Sequence, residues 1–240
     1  MRRLPLLPDS EAPGPAAAGT RIKQCGRVHT SVLGGWLLDR AADEPRLVTV
    51  AHVLAPRPEL FARPIQAPPL PPALRYTADG AHLCIAGGSV PVARVTAAGV
   101  CDPFGRVASL DVAVAAPLHR ALVPEGAVPA RVASARLGQR VRVAIGAESS
   151  RAGTVAAIGW SSGHYGTGGD VLIAPAGAEP FSSMGMSGAW ICDAASGDPV
   201  AMLVGELLGV TIDGTRHERL ACAHPLDRVL DLFELSTARG

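Results

Sequence analysis

The sequence has few aromatic residues, no long apolar run and no block of basic residues. Aromatic side chains make up only 4% of the 240 residues, so Ala, Val, Leu and Ile must fill the core. No apolar run reaches the roughly 20 residues that a membrane-spanning helix needs. The formal net charge is +1, and no stretch alternates basic with aromatic residues. We therefore expect neither a nucleic-acid partner nor a membrane partner.

The cysteines are odd in number and form neither a CxxC pair nor a spaced Cys/His quartet. They are Cys25, Cys84, Cys101, Cys192 and Cys222. The simplest interpretation is free thiols in a reducing compartment, and the alternative is a single disulfide. Residues 1–20 begin with basic residues, but prolines break their apolar run, which predicts a disordered Pro/Ala-rich tail and not a signal peptide. Together these features predict a cytoplasmic protein without a metal ion.

Turn-forming residues are abundant, with 27 glycines and 21 prolines. They bound many short apolar runs, a pattern typical of a β-sandwich or barrel. The runs fall into two series on either side of LVPEGAVPA, which predicts one β half over 21–125 and another over 126–240. A double glycine inside VHTSVLGGWLL predicts a bend or bulge. Only HPLDRVLDLFEL has apolar residues at helical spacing, which predicts a short helix over 225–235.

Three short motifs carry residue types that suit nucleophilic catalysis. His52 ends the apolar run LVTVAH, Asp111 opens the run DVAVA, and Ser187 lies between two glycines in GMSG. Other candidates, including His224 as a base and Asp102 or Asp170 as the acid, lack comparable settings. A serine in this setting is by itself more often a turn residue than a nucleophile, so the assignment of Ser187 depends on the other two motifs.

The chemistry explains why these types belong together. A serine hydroxyl needs a nearby base, and the histidine base needs a carboxylate that fixes its tautomer. The oxyanion that develops needs donors, which the backbone N–H groups of Gly185 and Ser187, on either side of Met186, supply if the turn is tight. A cleft between the two β halves would bring His52 and Asp111 to Ser187.

These segments resemble the trypsin/chymotrypsin superfamily of serine peptidases, in particular its bacterial HtrA-like branch. LVTVAHVL resembles the strand end that carries the base, SLDVAVA the acid motif, and MGMSGAW the nucleophile motif. The chain order His, Asp, Ser is that of chymotrypsin and differs from the orders of subtilisin and the α/β-hydrolases. RAGTVAAIGW, DPVAMLVGE and ACAHPLDRVLDLF resemble later strands and the final helix, so the resemblance spans about residues 21–235.

The resemblance implies an all-β fold of two six-stranded antiparallel β-barrels with a short C-terminal helix. It also implies a serine endopeptidase that hydrolyses polypeptides through His52, Asp111 and Ser187 without a cofactor. The specificity pocket is expected near Phe181, Val204 and Glu206. Phe181 at the pocket floor favours a small apolar P1 side chain, and this is our preferred prediction. Glu206 at the wall would instead favour Arg or Lys.

Two departures from the family pattern support alternative hypotheses. Met186 stands where an Asp or Asn is usual, so activation by N-terminal cleavage is not expected. Val204 stands where many members have a serine that binds the catalytic Asp, and its loss is expected to raise the pKa of Asp111 or loosen its orientation. One alternative is an inactive binding module on the same fold. Another is a protease that a regulatory protein activates by ordering the loop GHYGTGG over 163–169.

Overall fold

The described part of the chain folds into two antiparallel β-sheets and one short α-helix, so the predicted all-β class is confirmed. The computed structural model describes residues 14–26, 28–52, 81–99, 110–145, 149–162 and 167–238. The proline-rich segment over 56–72 and most of the GHYGTGG loop lie outside these ranges. Within these ranges, no helix has the length and apolar character needed to cross a membrane.

The first sheet has eight strands in the order β14-β3-β4-β7-β6-β5-β1-β2. Its strands are β1 (Arg21–Gln24), β2 (Thr30–Val32), β3 (Gly35–Asp39), β4 (Pro45–Thr49), β5 (His82–Ile85), β6 (Pro91–Ala98), β7 (Ala113–Pro117) and the C-terminal β14 (Leu235–Ser236). It curves around a core that includes Trp36, Leu47 and Leu83. The predicted count of six is exceeded partly because β14 returns from the end of the chain and pairs with β3.

The second sheet is a closed six-stranded barrel, as predicted, in the order β10-β13-β12-β11-β8-β9. Its strands are β8 (Arg140–Ile145), β9 (Ser149–Ser162), β10 (Thr167–Pro175), β11 (Trp190–Asp193), β12 (Pro199–Ile212) and β13 (Thr215–Pro225). The helix α1 (Leu226–Leu232) follows and buries Leu226 and Val229. It ends earlier than predicted because Glu234 adopts a left-handed backbone conformation with φ of 54°, which directs the chain into β14.

The two sheets meet where β11 passes the predicted glycine bend. Strand β2 ends at Val32 and β3 begins at Gly35, so the double glycine does divide the two strands. A Cβ atom at Gly34 or Gly35 would overlap the ring of Trp190. The glycines are therefore needed for a close approach between the sheets, in addition to the bend. Trp190 belongs to a buried apolar cluster that also holds Val48 from the first sheet and Met202 from the second.

The fold begins within the segment that the sequence predicts to be a tail. Ala16 is buried, and its N–H donates to the carbonyl oxygen of Leu122 over 2.8 Å. The carbonyl of Ala16 accepts a hydrogen bond of 2.9 Å from the indole of Trp36. Residues 14–20 thus close one end of the first sheet, and only residues 1–13 lie outside the described part of this segment.

One pair of cysteines corrects the expectation of free thiols. Cys25 and Cys84 form a disulfide that joins the end of β1 to β5, whereas Cys192 and Cys222 are reduced thiols outside any disulfide. The sequence alone could not select this pair, because its two members are far apart along the chain. Since the thiol argument for a reducing compartment fails for these cysteines, the cytoplasmic location remains a prediction without that support.

Removing the disulfide should destabilise the fold. The Cys25→Ser/Cys84→Ser double variant releases a loop whose ends are 59 residues apart, which costs about 4 kcal/mol in the chain-entropy description. Urea unfolding followed by tryptophan fluorescence measures the difference. The control is Cys192→Ser, which removes a free thiol and should leave the free energy of unfolding close to that of the wild type. Equal stability of all three proteins would contradict the expectation.

Candidate active site

Neighbouring strands bring His52 and Asp111 together. Strands β4 and β7 pair with Thr49 opposite Ala113, so the residue pair lies just beyond the matched ends of the two strands. The N–H of His52 donates to Oδ1 of Asp111 over 2.8 Å, and Nδ1 of the imidazole is hydrogen-bonded to Oδ2. Both carboxylate oxygens therefore bind the same residue, which holds the ring in one orientation.

Burial strengthens the electrostatic coupling of this pair. The Asp111 side chain is 6% exposed and that of His52 is 32% exposed. Burial acts to lower the pKa of His52, but the charge and hydrogen bond of Asp111 outweigh burial and raise it above its ordinary value. Burial acts to raise the pKa of Asp111, but the charge and hydrogen bonds of His52 outweigh burial and lower it. The pair therefore holds a carboxylate ready to stabilise an imidazolium.

Two residues that the sequence analysis set aside lie directly behind Asp111. Nε2 of His224 accepts the backbone N–H of Asp111 over 2.8 Å, and Nδ1 of His224 is 2.8 Å from Oδ1 of Asp170. Both side chains are fully buried. They were considered only as rivals of His52 and Asp111. The sequence feature that could have indicated a shared role is their position at the ends of apolar runs: Asp170 begins DVLIAP and His224 ends RLACAH.

Two successive tight turns shape the loop that carries Ser187. The N–H of Met186 donates to the Ser183 carbonyl over 3.1 Å, and the N–H of Ala189 donates to the Met186 carbonyl over 3.0 Å. Gly185 and Gly188, at the third position of each turn, have φ of 84° and 97°, as a type II turn requires. No acceptor among the described residues binds the N–H groups of Gly185 or Ser187, which leaves both donors available.

Backbone hydrogen bonds fasten this loop to both sheets. The Ser187 carbonyl accepts from the N–H of Val32 over 2.9 Å, and the N–H of Gly188 donates to Leu203 over 2.7 Å. A Cβ atom at Gly188 would lie 2.6 Å from the hydroxyl of Thr49, so only glycine fits here. Since Thr49 is three residues before His52, this contact places the Ser187 loop against the segment that carries the histidine.

The Ser187 hydroxyl itself points to the second sheet. Its Oγ donates to the Val204 carbonyl over 3.0 Å. Among the residues that the structure describes, no hydrogen bond joins Ser187 to His52. The structure thus pairs two of the three predicted residues directly and positions the third on an adjacent loop with its hydroxyl bound elsewhere.

The two departures from the family pattern have local explanations. Met186 is buried in the barrel core, and its Sδ accepts a 3.1 Å hydrogen bond from the Ser183 hydroxyl. An apolar side chain therefore anchors the Ser187 loop to the barrel core. Val204 is buried, and its side chain offers Asp111 no hydrogen bond. The pKa of Asp111 is nevertheless lowered from its ordinary value, because the charge and hydrogen bonds of His52 outweigh burial. That the missing serine raises this pKa or loosens the orientation of Asp111 stays a prediction.

The predicted pocket residues occupy two different settings. Phe181 is 2% exposed and packs in the barrel core, where a Cβ atom at Gly153 would lie 2.6 Å from its ring. Glu206 is partly exposed, and its Oε1 accepts from the Ser182 hydroxyl over 3.3 Å and from Arg219 Nε over 3.2 Å. The acid is therefore already paired. No group of three or more His, Cys, Asp or Glu side chains in the described ranges is arranged to hold a metal ion.

Comparison with known proteins identifies the fold. No protein-family model and no curated protein sequence matches the chain. Several solved structures do, and they are all trypsin/chymotrypsin-like serine proteases. One is a glutamic-acid-specific serine protease described as using a histidine triad in substrate binding, with TM-score 0.56, 15% identity, and coverage of 92% of this chain and 100% of that one.

Two further structures agree with this result. Thermobifida fusca protease A has TM-score 0.58 and 13% identity, covering 95% of this chain and 100% of its own. An alpha-lytic protease homologue, N4, has TM-score 0.55 and 16% identity, covering 92% of this chain and 97% of its own. The chain therefore has the chymotrypsin-like fold, while identities this low leave its activity to be argued from the site.

The coupling of His52 to Asp111 makes a titration prediction. Because the folded-state pKa of His52 is raised, the pair stabilises the fold fully below about pH 6.5, and this contribution is lost as the pH rises through the folded-state value. In proton NMR titrations, the His52 Cε1 proton should have its midpoint above about 6.5. Asp111→Asn should move the midpoint down, because burial then dominates. The remote variant Asp198→Asn should leave the midpoint in place, and a wild-type midpoint below the ordinary value would refute the coupling.

Proposed function

We propose that the protein is a serine endopeptidase that uses Ser187 as nucleophile, His52 as general base and Asp111 as the residue that orients the base. The observation that carries this proposal is the buried His52–Asp111 pair beside the Ser187 loop, in which the N–H groups of Gly185 and Ser187 have no acceptor among the described residues. Serine proteases of the same fold provide coarser support, since they imply a polypeptide substrate.

The geometry supports a specific sequence of steps. The Ser187 hydroxyl leaves the Val204 carbonyl by rotation about χ1 and donates to Nε2 of His52. Its oxygen attacks the peptide carbonyl, His52 takes the proton, and Asp111 stabilises the imidazolium through Nδ1. The N–H groups of Gly185 and Ser187 bind the oxyanion. His52 then returns the proton to the leaving amine, and water hydrolyses the acyl-enzyme by the same steps in reverse order.

A second candidate function rests on the hydrogen bond from Ser187 to Val204. Because the Ser187 hydroxyl donates to a backbone carbonyl, it does not donate to His52 in this state. A binding module or a partner-activated protease would have this arrangement. In the binding module the cleft holds a polypeptide without cleaving it. In the partner-activated protease, a regulatory protein shifts the hydroxyl toward His52. A rotation about one side-chain bond separates these states, so the active endopeptidase remains the preferred proposal.

Labelling with a fluorophosphonate probe tests the proposed triad. Wild-type protein should take up one probe per chain by intact mass, because only an activated serine attacks the phosphorus at neutral pH. Ser187→Ala and His52→Ala should abolish labelling. The matched control is Ser183→Ala, which removes another hydroxyl of the same loop together with its hydrogen bond to Met186 Sδ. It should still be labelled, because the backbone hydrogen bonds that form the two turns remain.

Each contrary result has a defined meaning. If Ser183→Ala loses labelling while Ser187→Ala keeps it, Ser183 and not Ser187 is the nucleophile. No labelling of folded wild-type protein, alone or in host-cell lysate, would refute the endopeptidase proposal and favour the binding module. Labelling that appears only in lysate would favour the partner-activated protease.

The pairing of Glu206 favours a small apolar P1 side chain. Since Arg219 and Ser182 already bind the Glu206 carboxylate, a basic P1 residue gains less from it than from a free acid. A peptide-library profile should therefore rank Ala and Val above Arg and Lys. Arg219→Ala should raise kcat/KM for Arg or Lys at P1 several-fold relative to Ala. Arg216→Ala, which removes an exposed arginine paired with Glu218 on the same hairpin, should leave the ratio unchanged, and a wild-type preference for Arg or Lys would contradict the ranking.

A further inference from the structure

A second buried His–Asp pair lies behind the first. Asp170 at β10 and His224 in β13 are both 0% exposed, and they belong to the second barrel. Their hydrogen bonds lead outward to the backbone N–H of Asp111, which belongs to the first sheet. The proposed triad does not use either residue. Because burying two ionisable side chains is unfavourable, we expect the pair to have another role.

We propose that Asp170 and His224 form a positioning pair that holds Asp111 in line with His52. This inference rests on the proposed function, because it assigns the pair a role in the same reaction. The pair acts on the backbone of Asp111 and touches neither the nucleophile nor the substrate. Both residues are therefore positioning residues.

The backbone at Asp111 explains why an outside acceptor is needed. The N–H of Val112 donates to the Leu110 carbonyl over 2.9 Å, so Asp111 is the central residue of a tight three-residue turn. Strand β7 begins only at Ala113, and a residue in such a turn has no strand neighbour to accept its N–H. A buried N–H without an acceptor is unfavourable, because the hydrogen bond that it makes to water in the unfolded chain is lost and not replaced. His224 Nε2 supplies that acceptor from the opposite sheet.

The hydrogen bonds also determine the tautomer of His224. Nε2 accepts the Asp111 N–H, so it carries no proton, and the single ring proton must be on Nδ1. Nδ1 then donates to Oδ1 of Asp170 over 2.8 Å. Asp170 in turn accepts a weak hydrogen bond from the Cys222 thiol through Oδ2 over 3.6 Å. Asp170 thus selects the only tautomer of His224 that can accept from Asp111.

The consequence is a direct link between the first sheet and the barrel at the proposed catalytic acid. Both carboxylate oxygens of Asp111 bind His52, and the N–H of Asp111 binds His224, so the residue is held on two sides. A small displacement of Asp111 would rotate the His52 ring away from Ser187. Proton transfer depends on this alignment, whereas substrate binding in the cleft does not.

Two conservative variants separate the two hydrogen bonds of His224. His224→Gln places its Oε1 near the position of Nε2, so it can still accept from Asp111. His224→Asn places its amide near the position of Nδ1, so it can still donate to Asp170 but cannot reach Asp111. Both remain polar and buried, which makes each the control for the other.

The test measures the rate of fluorophosphonate labelling on the full chain. The His224→Asn variant should label about 10–100-fold more slowly than wild type, as is typical when a supporting residue of a site is removed. The His224→Gln variant should retain most of the wild-type rate. In proton NMR spectra, the low-field resonance of the His52 Nδ1 proton should shift or broaden in His224→Asn and persist in His224→Gln, a difference that a purely structural role would not produce.

Other outcomes overturn the proposal. Folded variants that both label at the wild-type rate, or that lose the same fraction of it, would show that the acceptor at Asp111 is not what matters. If His224→Asn does not fold, Asp170→Asn replaces it, since an amide no longer fixes the tautomer, and an unchanged rate there would overturn the proposal. If wild-type protein does not label at all, the proposed function fails, and the NMR comparison by itself decides the role of the pair.

Discussion

The close packing of the Ser187 loop between the two sheets is the constraint on which the site depends. Trp190 occupies the space that side chains at Gly34 and Gly35 would fill, and Gly188 lies against Thr49. Any larger residue at these glycines would push the sheets apart. His52 follows a strand of the first sheet, and Ser187 precedes β11 of the second sheet. The packing distance between the sheets therefore also sets the distance between His52 and Ser187.

A continuous series of hydrogen-bonded polar groups crosses from one sheet to the other. It runs from Asp170 through His224 and the backbone of Asp111 to His52. Each internal donor meets an acceptor, which is the condition under which a buried polar network supports a fold. Within this network, the charge and hydrogen bonds of His52 lower the pKa of Asp111 despite its burial, which favours the ionised carboxylate.

Much of the fold followed from local patterns. Turn residues around short apolar runs predicted two β halves, and the spacing of Leu226, Val229 and Leu230 predicted a C-terminal helix. The helix end was misplaced because it depends on the backbone conformation of Glu234, which an ordinary side chain does not reveal. The Cys25–Cys84 disulfide and the packing of Ala16 were missed because each depends on contacts between distant segments.

The sequence by itself determined the all-β class, the two-part organisation and the three candidate residues, because strand length, turn chemistry and short motifs are local properties. Only the tertiary structure decided that His224 and Asp170 stand behind Asp111, that Arg219 pairs with Glu206, and that the Ser187 hydroxyl binds Val204. These are contacts between side chains or backbone groups far apart in the chain. Strand register and barrel closure set such distances, and neither is encoded in the residues near the contact.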